Sequence, residues 1–574
     1  MPAHLDIALL ICAGLVALGI VTSLLSFRFG APLLLVFLLL GLSAGEDGLA
    51  GVPFDDAGIA YIICTVALAL VLFDSGCGTS LASFRLAARP ALALATLGVA
   101  LTAVLLALPA HYLLGMDWLT ALLLGAIVSS TDAAAVFFLL RVGGVEVRGR
   151  VRSTLEVESG SNDPMSIFLT FTLLGIATTA SAPALDWSLA WHFLHQMGGG
   201  VLLGLAGGHG IAAALARLRL ERELLPLLAL SLAICLYALA NLLGGSGFLA
   251  VYVAGLVVGN RGLPAIGMLR RFQAAFTWLA QIAMFITLGM LATPSEFLPL
   301  LGAGVLLGAA LILVARPLAV WITLLPFGFN RREIGFVGWV GLRGAVSLLL
   351  GMVPILHGLE GGRDLFNLAF IIVLMSLLIQ GWTLGPVARW LGQVVPARRG
   401  PVEREALDLP GLAGHDLVCY RIMRDSPVAQ GANLPRWSRP SLVVRGKEVL
   451  RLRESGPLRP GDLVYLFAPE DRIALLDRIF AAERAPTADD REFFGDFAIE
   501  ADVTVGELAE GYGFAPGGRD TRQTLVAAMT AEFDGVPTVG DRLALGPVDV
   551  IVRALDDNGQ VAELGLHLAP PRRS

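Results

Sequence analysis

Polar side chains that can bind a proton or a cation occur together in the segment 157–164, which reads VESGSNDP. Glu158, Asn162 and Asp163 lie there inside a long apolar stretch, and a second polar group, Ser130-Thr131-Asp132, lies one apolar segment earlier. A carboxylate at the centre of a bilayer costs about 2.5 to 3.5 kcal/mol on insertion scales, and such residues usually mark ion or proton pathways. The two segments therefore predict a cation or proton site.

The spacing within 157–164 places its side chains on two adjacent helix faces. Glu158 and Asn162 are four residues apart, as are Ser159 and Asp163. Residues four apart share a helix face, so Ser159 and Asp163 can together present oxygens to a dehydrated monovalent cation. A buried Glu158 needs a positive partner, and we expect Arg316, in a later apolar segment, to supply it.

The composition places these residues in a membrane. The chain has 56% hydrophobic residues and a mean hydropathy of +0.74, and residues 1–395 are almost continuously apolar. This pattern is typical of an integral membrane protein and excludes a soluble one. We expect no enzymatic activity and no nucleic-acid binding. The cysteines lack paired spacing, so we expect no disulfide and no resident metal; they are Cys12, Cys64, Cys77, Cys235 and Cys419.

A transmembrane helix needs about 20 apolar residues, and the sequence offers about 13 candidate spans. They are residues 5–27, 31–46, 58–74, 91–114, 118–140, 154–180, 189–215, 223–243, 247–260, 276–292, 298–325, 334–357 and 366–390. Because no basic region precedes the first of them, we interpret it as a retained helix and not a signal peptide.

Arginines support an odd number of spans, because they are concentrated in alternate loops. The other loops carry mainly aspartate and glutamate, with Arg363 as the exception. Arginine-rich loops face the cytoplasm, so we expect the N-terminus outside and the C-terminus inside. The arginine-rich loops contain Arg28, Arg85, Arg89, Arg141, Arg148, Arg150, Arg152, Arg217, Arg219, Arg222, Arg261, Arg270, Arg271, Arg331, Arg332, Arg389, Arg398 and Arg399.

Asp132, Asp163 and Arg343 are expected at one depth. Each lies eight to ten residues from the arginine-rich end of its span, which is roughly 12 to 15 Å. Residues 129–131 and the glycines and serine of 341–347 disfavour helix, so we predict that spans 5 and 12 are broken there. Spans seven apart run in opposite directions, which fits an inverted repeat of spans 1–6 and 8–13.

Several of these residues have a structural interpretation as well as a functional one. Asp132 can cap a half-helix, coordinate a cation, or do both. We interpret Glu158 as half of a structural ion pair and Arg343 as an anchor of the crossing helices. Asp74 is either an interfacial charge or part of the site. We interpret His209 as a packed neutral imidazole.

The composition after about residue 400 is that of a soluble protein. Residues 405–482 contain strand-like runs at 441–444 and 462–467 and a helix-like run at 471–480. A linker, 482–490, precedes a second unit, 491–570, with a helical pattern near 519–533 and strand-like runs at 542–552 and 560–566. Neither unit has a GxGxxG after a strand. The fold class is therefore an all-α polytopic membrane domain, residues 1–395, followed by small α+β cytoplasmic domains.

Two other classes of membrane protein can use such residues. An intramembrane aspartyl protease needs two apposed aspartates, but neither aspartate lies in a GxGD motif. A regulated cation channel, with the tail as its sensor, predicts cation flux that is not coupled to protons. Exchange of a cation for a proton at one carboxylate, by alternating access, is the favoured hypothesis.

The ordered motifs of the first 390 residues carry a family resemblance. They are Thr131-Asp132, Glu158-Ser159, Asn162-Asp163, GFLAVYVAGLVVGN at 247–260, Ala315-Arg316-Pro317 and GLRGAVS at 341–347. The chain resembles the NhaP-type monovalent cation:proton antiporters, which are related to animal sodium/proton exchangers. The resemblance implies a homodimer of 13-span protomers, with spans 4–6 and 11–13 as a core that moves against a dimerisation domain.

The resemblance also implies roles for the site residues. Asp163 is the carboxylate that binds either cation or proton, and Asp132, Ser159 and the Thr131 carbonyl help to coordinate the cation. Asn162, in place of a second aspartate, resembles the electroneutral branch.

Asp74 stands where the family usually has glutamate in a FEGG-like stretch, so its role in the site is left open.

The tail resembles two known regulatory modules. Residues 405–482 look like a TrkA-C domain, the C-terminal half of a regulator of potassium conductance, and 491–570 look like a CorC/HlyC transporter-associated domain. Together they imply the potassium/proton branch, with sodium/proton exchange as the alternative. They also imply a bacterial inner-membrane location and a regulatory ligand at the tail, such as a nucleotide or a regulatory protein.

Overall fold

The computed structural model describes two compact units, Met1–Val394 and Val395–Ser574. The described residues are 6, 10–11, 13–22, 32–178, 187–218, 220–221, 223–263, 266–395, 404–407, 415–432, 434–435, 437–452, 454–469, 472–482, 493–513, 520–533, 537, 539–555 and 560–568. Some features named from the sequence lie outside them: Cys12, Arg28, Arg219, Arg222, Arg398, Arg399 and most of the linker, 483–490.

The first unit is all helical in its described part. Its helices give spans 1–13 in the predicted order. The spans are Ala13–Thr22; Leu33–Ala44; Ala57–Gly78; Leu81–Ala93 with Val99–Leu114; Trp118–Ile127 with Ala133–Val142; Gly149–Thr178; Trp187–Arg217; Leu224–Leu242; Gly247–Gly259; Ile266–Leu291; Phe297–Ala310 with Arg316–Leu324; Arg331–Trp339 with Ala345–Leu356; and Gly362–Trp390.

Seven of these described spans, 3, 4, 7, 8, 10, 11 and 13, are long and apolar enough to cross a membrane by length and composition when the π-turns of spans 4 and 11 are counted as helix, and six apolar helices are shorter. The predicted polytopic helical fold is therefore confirmed. Spans 4 and 10 begin about ten residues earlier than predicted, at Leu81 and Ile266. Hydropathy misses these turns because they carry arginines, which end the apolar run without ending the helix.

Spans 5 and 12 are broken, as the helix-disfavouring residues predicted. Span 5 leaves the helical conformation between Ile127 and Ala133, and span 12 between Trp339 and Ala345. Ser347, which the sequence pattern places in the break, lies in the second half-helix of span 12. Because non-helical backbone in a membrane must be satisfied by other protein groups, these two breaks must lie against polar partners.

Spans 4 and 11 each contain a π-helical turn, and they are seven spans apart, as are the broken spans 5 and 12. A π-helical turn joins the halves of span 4 at Leu94–Gly98, and another joins the halves of span 11 at Leu311–Ala315. π-turns are rare and occur mostly at functional sites. The paired breaks and paired π-turns fit the predicted inverted repeat.

Close backbone contacts hold spans 3 and 9 together. A Cβ added at Gly255 would lie 2.3 Å from the carbonyl oxygen of Phe73, and one at Gly76 would lie 2.3 Å from that of Tyr252. Small residues allow such approach between membrane helices, where packing replaces the hydrophobic effect. Spans 3 and 9 therefore form a rigid pair, and Tyr252 is fixed on it.

The second unit contains two antiparallel sheets. In the first, β1 (Arg404–Leu407), β2 (His415–Arg421), β3 (Arg439–Arg445), β4 (Glu448–Leu450) and β5 (Leu463–Pro469) follow the order β1-β2-β5-β3-β4, with a helix at Ile473–Phe480. In the second, β6 (Phe497–Glu500), β7 (Arg542–Leu545), β8 (Val548–Leu555) and β9 (Val561–Leu568) follow the order β6-β9-β8-β7, with helices at Val505–Tyr512 and Leu525–Glu532.

The tail has the predicted α+β character but more strands than the sequence indicated. The sequence pattern predicts one strand over 542–552, whereas the structure has two strands of a hairpin there, one ending at Leu545 and the next beginning at Val548. Gly546 supplies the turn, with a φ of 60° that glycine adopts without strain. The alternation of apolar residues continues across such a short turn, so the sequence pattern alone does not reveal the turn.

Candidate functional site

The two backbone breaks meet, and an arginine connects them. The Asp132 N–H donates to the Leu342 carbonyl at 2.9 Å. The Arg343 guanidinium donates through Nη1 to the carbonyls of Ser129, at 2.5 Å, and Ser130, at 2.8 Å. These carbonyls would otherwise be unsatisfied at the end of a half-helix. Arg343, which is fully buried, therefore supplies the donors and the positive charge that the break requires.

A chain of neutral side chains on span 13 positions Arg343. Its backbone N–H donates to Ser376 Oγ at 2.9 Å, and Ser376 Oγ donates to Gln380 Oε1 at 2.5 Å. Gln380 Nε2 in turn donates to the Trp339 carbonyl at 2.7 Å, at the end of the first half-helix of span 12. Both ends of the break in span 12 are thus tied to span 13.

Asp163 lies in the middle of span 6 and faces the break in span 5. It is 5% exposed, and Ser130 Oγ donates to its Oδ1 at 2.5 Å. One turn later on span 6, Ser166 Oγ lies 2.9 Å from Ser129 Oγ. Asp163 is therefore a buried carboxylate whose hydrogen-bond partner is a neutral hydroxyl.

Asp132 begins the second half-helix of span 5. Its Oδ1 accepts from the Ala135 N–H at 3.0 Å, which is an N-cap bond. Gly344 approaches the other side of the carboxylate, since a Cβ added there would lie 2.6 Å from Asp132 Oδ2. A carboxylate is stabilised at this position by the positive end of the helix dipole.

Three further residues named from the sequence form one hydrogen-bonded group. Ser159 Oγ donates to the Thr131 carbonyl at 3.0 Å and accepts from the Ala133 N–H at 3.0 Å. Asn162 Nδ2 donates to Thr131 Oγ1 at 2.5 Å. Ser159 and Asn162 therefore connect span 6 to the break in span 5, directly beside Asp163.

Glu158 and Arg316 form a buried ion pair. Arg316 Nη2 lies 2.7 Å from Glu158 Oε1, and each side chain is 1% exposed. Arg316 comes directly after the π-turn of span 11. The pair therefore connects span 6 to span 11, which fits a structural ion pair.

Two of the named residues have their hydrogen-bond partners outside this group. Asp74 Oδ2 accepts from Thr277 Oγ1 of span 10 at 2.9 Å, and among the described residues no site hydrogen bond includes Asp74. His209 was expected to be packed, but it is exposed on span 7, where its Nδ1 lies 2.8 Å from the Leu205 carbonyl. A helix facing lipid exposes its side chains without exposing them to water, so apolar surroundings did not imply packing.

Ser130 was not assigned a role of its own, although it provides the hydroxyl bound to Asp163. Its signal was a third polar residue directly before Thr131 and Asp132. The oxygens that surround Asp163 and the break in span 5 belong to carboxylate, hydroxyl, amide and carbonyl groups. Such oxygen ligands suit a hard cation. Among the described residues, no cluster of three or more His, Cys, Asp or Glu could hold a resident metal.

Comparison with known proteins identifies the family. Residues 14–390 match the transmembrane sodium/hydrogen exchanger family. The K(+)/H(+) antiporter NhaP of Alkalimonas amylolytica is 40% identical over 572 residues, which are 98% of this chain and 99% of the relative. The K(+)/H(+) antiporter NhaP2 of Shewanella oneidensis is 39% identical over 566 residues, which are 97% and 98% of the two chains.

A solved structure shows the same fold. The sodium proton antiporter MjNhaP1 of Methanocaldococcus jannaschii superposes with a TM-score of 0.60 at 21% identity, over 68% of this chain and 99% of that chain. The matched family, the near-complete coverage of the relatives and the shared fold lead to one conclusion. This chain belongs to the sodium/hydrogen exchanger family, among the NhaP-type antiporters.

Proposed function

We propose that this protein exchanges potassium for protons by alternating access, one for one, at Asp163. The observation that carries the proposal is how the three carboxylates of the site are engaged. Glu158 is neutralised by Arg316 and Asp132 caps a helix, whereas the hydrogen-bond partner of Asp163 is the neutral Ser130 hydroxyl. Asp163 is thus the carboxylate whose negative charge must be balanced by an exchangeable ion, either a proton or a cation.

Competition at one carboxylate gives coupled exchange. With a proton bound, Asp163 is neutral; with the proton lost, a cation restores the balance of charge. The oxygens beside Asp163 that can replace water around that cation are Ser159 Oγ, the Thr131 carbonyl and the carboxylate of Asp132. Because one proton and one monovalent cation carry the same charge, each cycle is electrically neutral.

A rotation of the Ser159 hydroxyl alone could prepare the site for a cation. In the structure the Ser159 hydroxyl donates its proton to the Thr131 carbonyl oxygen. That carbonyl oxygen is therefore engaged by Ser159 and not by a cation. Rotation of the Ser159 hydroxyl would free that carbonyl and turn its own lone pairs toward a cation, because a hydroxyl is both donor and acceptor. Asn162 keeps the break in span 5 in place by its bond to Thr131 Oγ1 and adds no charge.

The choice of potassium over sodium rests on the two relatives, which match this chain through the tail as well as the membrane unit and are named potassium/proton antiporters. We further propose a homodimer in a bacterial inner membrane with the tail in the cytoplasm. Residues 405–482 and 491–570 would act as TrkA-C-like and CorC/HlyC-like domains. A ligand there would change transport only if it bound the inward-facing and outward-facing states with different affinities.

The test is proton flux in proteoliposomes that hold a pH gradient, after addition of potassium and then of sodium. We expect potassium to dissipate the gradient, with no dependence on membrane potential, and Asp163→Asn to abolish the response. Dissipation by sodium alone would move the chain to the sodium branch. Cation flux without proton movement would instead support a channel.

A further inference from the structure

One face of span 6 carries another carboxylate, Glu156, that the proposed exchange does not use. Glu156, Gly160 and Asp163 follow one another at intervals of four and three residues, which places them on one helix face. Glu156 is half-buried and lies about 10 Å from Asp163 along the helix axis. It is on the side of the arginine-rich loops, so this face leads from that end of the span to Asp163.

The phenol of Tyr252, on span 9, lies between the two carboxylates. A Cβ added at Gly160 would lie 2.3 Å from Tyr252 Cε2 and 2.8 Å from its hydroxyl oxygen, so the tip of the ring rests on the Gly160 backbone. Tyr252 is 1% exposed, and among the described residues its hydroxyl makes no hydrogen bond of normal geometry, although the Thr79 hydroxyl lies nearby. A buried hydroxyl without such a bond is costly, which points to a ligand at this position.

Thr79, at the end of span 3, completes the group. Its side chain is buried, and its hydroxyl donates to the Ser75 carbonyl at 2.9 Å, so its lone pairs remain available. The hydroxyl lies near both the Glu156 carboxylate and the Tyr252 phenol. Arg152, one turn before Glu156 and exposed, is a positive charge near the Glu156 carboxylate.

We propose that Glu156, Thr79 and Tyr252 form a vestibule site that holds a partly hydrated monovalent cation between the arginine-rich face and Asp163. A carboxylate and two hydroxyl oxygens can replace part of the hydration shell of such an ion. Because Thr79 and Tyr252 lie on the rigid pair of spans 3 and 9, whereas Glu156 lies on span 6, motion of span 6 would open and close the site. This inference rests on the proposed function.

Glu156→Gln and Tyr252→Phe test the site, because each keeps the shape of its side chain and removes one ligand. The assay measures the apparent KM for potassium separately at each face of oriented proteoliposomes. At the arginine-rich face we expect Glu156→Gln to raise KM by about threefold to fivefold, the effect of one partly exposed charge pair. The KM at the other face and the maximal rate should stay within twofold, and Tyr252→Phe should act in the same direction.

Glu146→Gln is the matched control, since Glu146 is exposed at the same end of span 6 and should leave both KM values unchanged. An unchanged KM in Glu156→Gln, or an equal rise at both faces, would overturn the vestibule site. If such a result is found while the wild type exchanges and Asp163→Asn does not, the vestibule site is wrong and the proposed exchange at Asp163 stands. A wild type without any exchange would overturn both proposals.

Discussion

Removal of Arg316 should destabilise the membrane unit far more than it changes ion affinity. Arg316 and Glu158 are each 1% exposed and 2.7 Å apart. Arg316→Met would leave Glu158 buried without its partner, and breaking a buried pair in this way costs about 3–5 kcal/mol. Arg343 also attracts Glu158 and offsets part of the loss, so we expect a value of about 3 kcal/mol, at the lower end of that range.

A double-mutant cycle separates the pair from packing. In Glu158→Leu with Arg316→Met no charge of the pair remains, and replacing a buried ion pair by apolar residues is often nearly neutral. The double variant should therefore be more stable than Arg316→Met alone, with a coupling free energy of about 2–3 kcal/mol. Arg331→Met is the control, because Arg331 is exposed and surface changes stay within about 0.5 kcal/mol.

The assay is unfolding of the purified protein by SDS in mixed micelles, followed by tryptophan fluorescence. All tryptophans except Trp437 precede residue 395, so the signal reports the membrane unit. Additive losses in the double variant would refute the ion-pair reasoning. So would an Arg316→Met protein of normal stability with altered selectivity between potassium and sodium.

Three further predictions concern other parts of the chain. Arg343→Met should reduce the maximal exchange rate at least tenfold, because the carbonyls of Ser129 and Ser130 lose their donor; a rate within twofold of wild type in proteoliposomes would contradict the anchoring role. Gly255→Ala should strongly reduce the yield of folded protein on size-exclusion chromatography, since its Cβ would lie 2.3 Å from a backbone oxygen. Gly210→Ala, with nothing within 4 Å of its Cβ, should not change the yield. Equal yields of Gly255→Ala and Gly210→Ala would contradict the packing argument. In the tail, Asp462→Asn should cost about 1–3 kcal/mol at neutral pH, measured by hydrogen exchange of β3 and β5.

The pH dependence of the last prediction follows from the tail geometry. Arg445 donates through Nε to Asp462 Oδ1 at 2.9 Å and through Nη2 to Oδ2 at 2.7 Å. This hydrogen-bonded pair lowers the pKa of Asp462 below its usual 3.8. The stabilisation is therefore present above that value and is lost as pH falls through the lower pKa of the folded state. The difference between wild type and Asp462→Asn should persist at pH 5 and disappear in strong acid; a difference that vanished between pH 5 and 7 would contradict it.

The parts of the site that sequence predicts are those fixed by the cost of burial. Residues 129–131 and the glycines Gly341 and Gly344 are poor helix formers inside apolar runs, so the breaks could be predicted from local preference alone. A carboxylate at the depth of Glu158 must be paired, and few buried cations were available, which pointed to Arg316. Both inferences need only depth and composition, and neither needs the rotation of any helix.

Contacts that depend on helix rotation could not be predicted. That Ser130 and not Thr131 donates to Asp163 follows from how spans 5 and 6 are turned toward each other. Asp74 lies near the arginine-rich end of span 3, and its side chain accepts a hydrogen bond from Thr277 of span 10. Such outcomes are decided by packing between distant segments, as at the close approach of spans 3 and 9, which one sequence pattern does not encode.

Competition at one carboxylate is the central claim, and the pH dependence of the apparent KM for potassium tests it most directly. If proton and potassium exclude each other at Asp163, the KM measured at the uptake face should rise about tenfold for each unit of acidification in the range where the proton occupies the site, by the mass action of one proton. The maximal rate at saturating potassium should stay constant. A KM that does not change with pH while the maximal rate falls would show that the proton acts elsewhere, and a hundredfold rise per unit would require a second carboxylate.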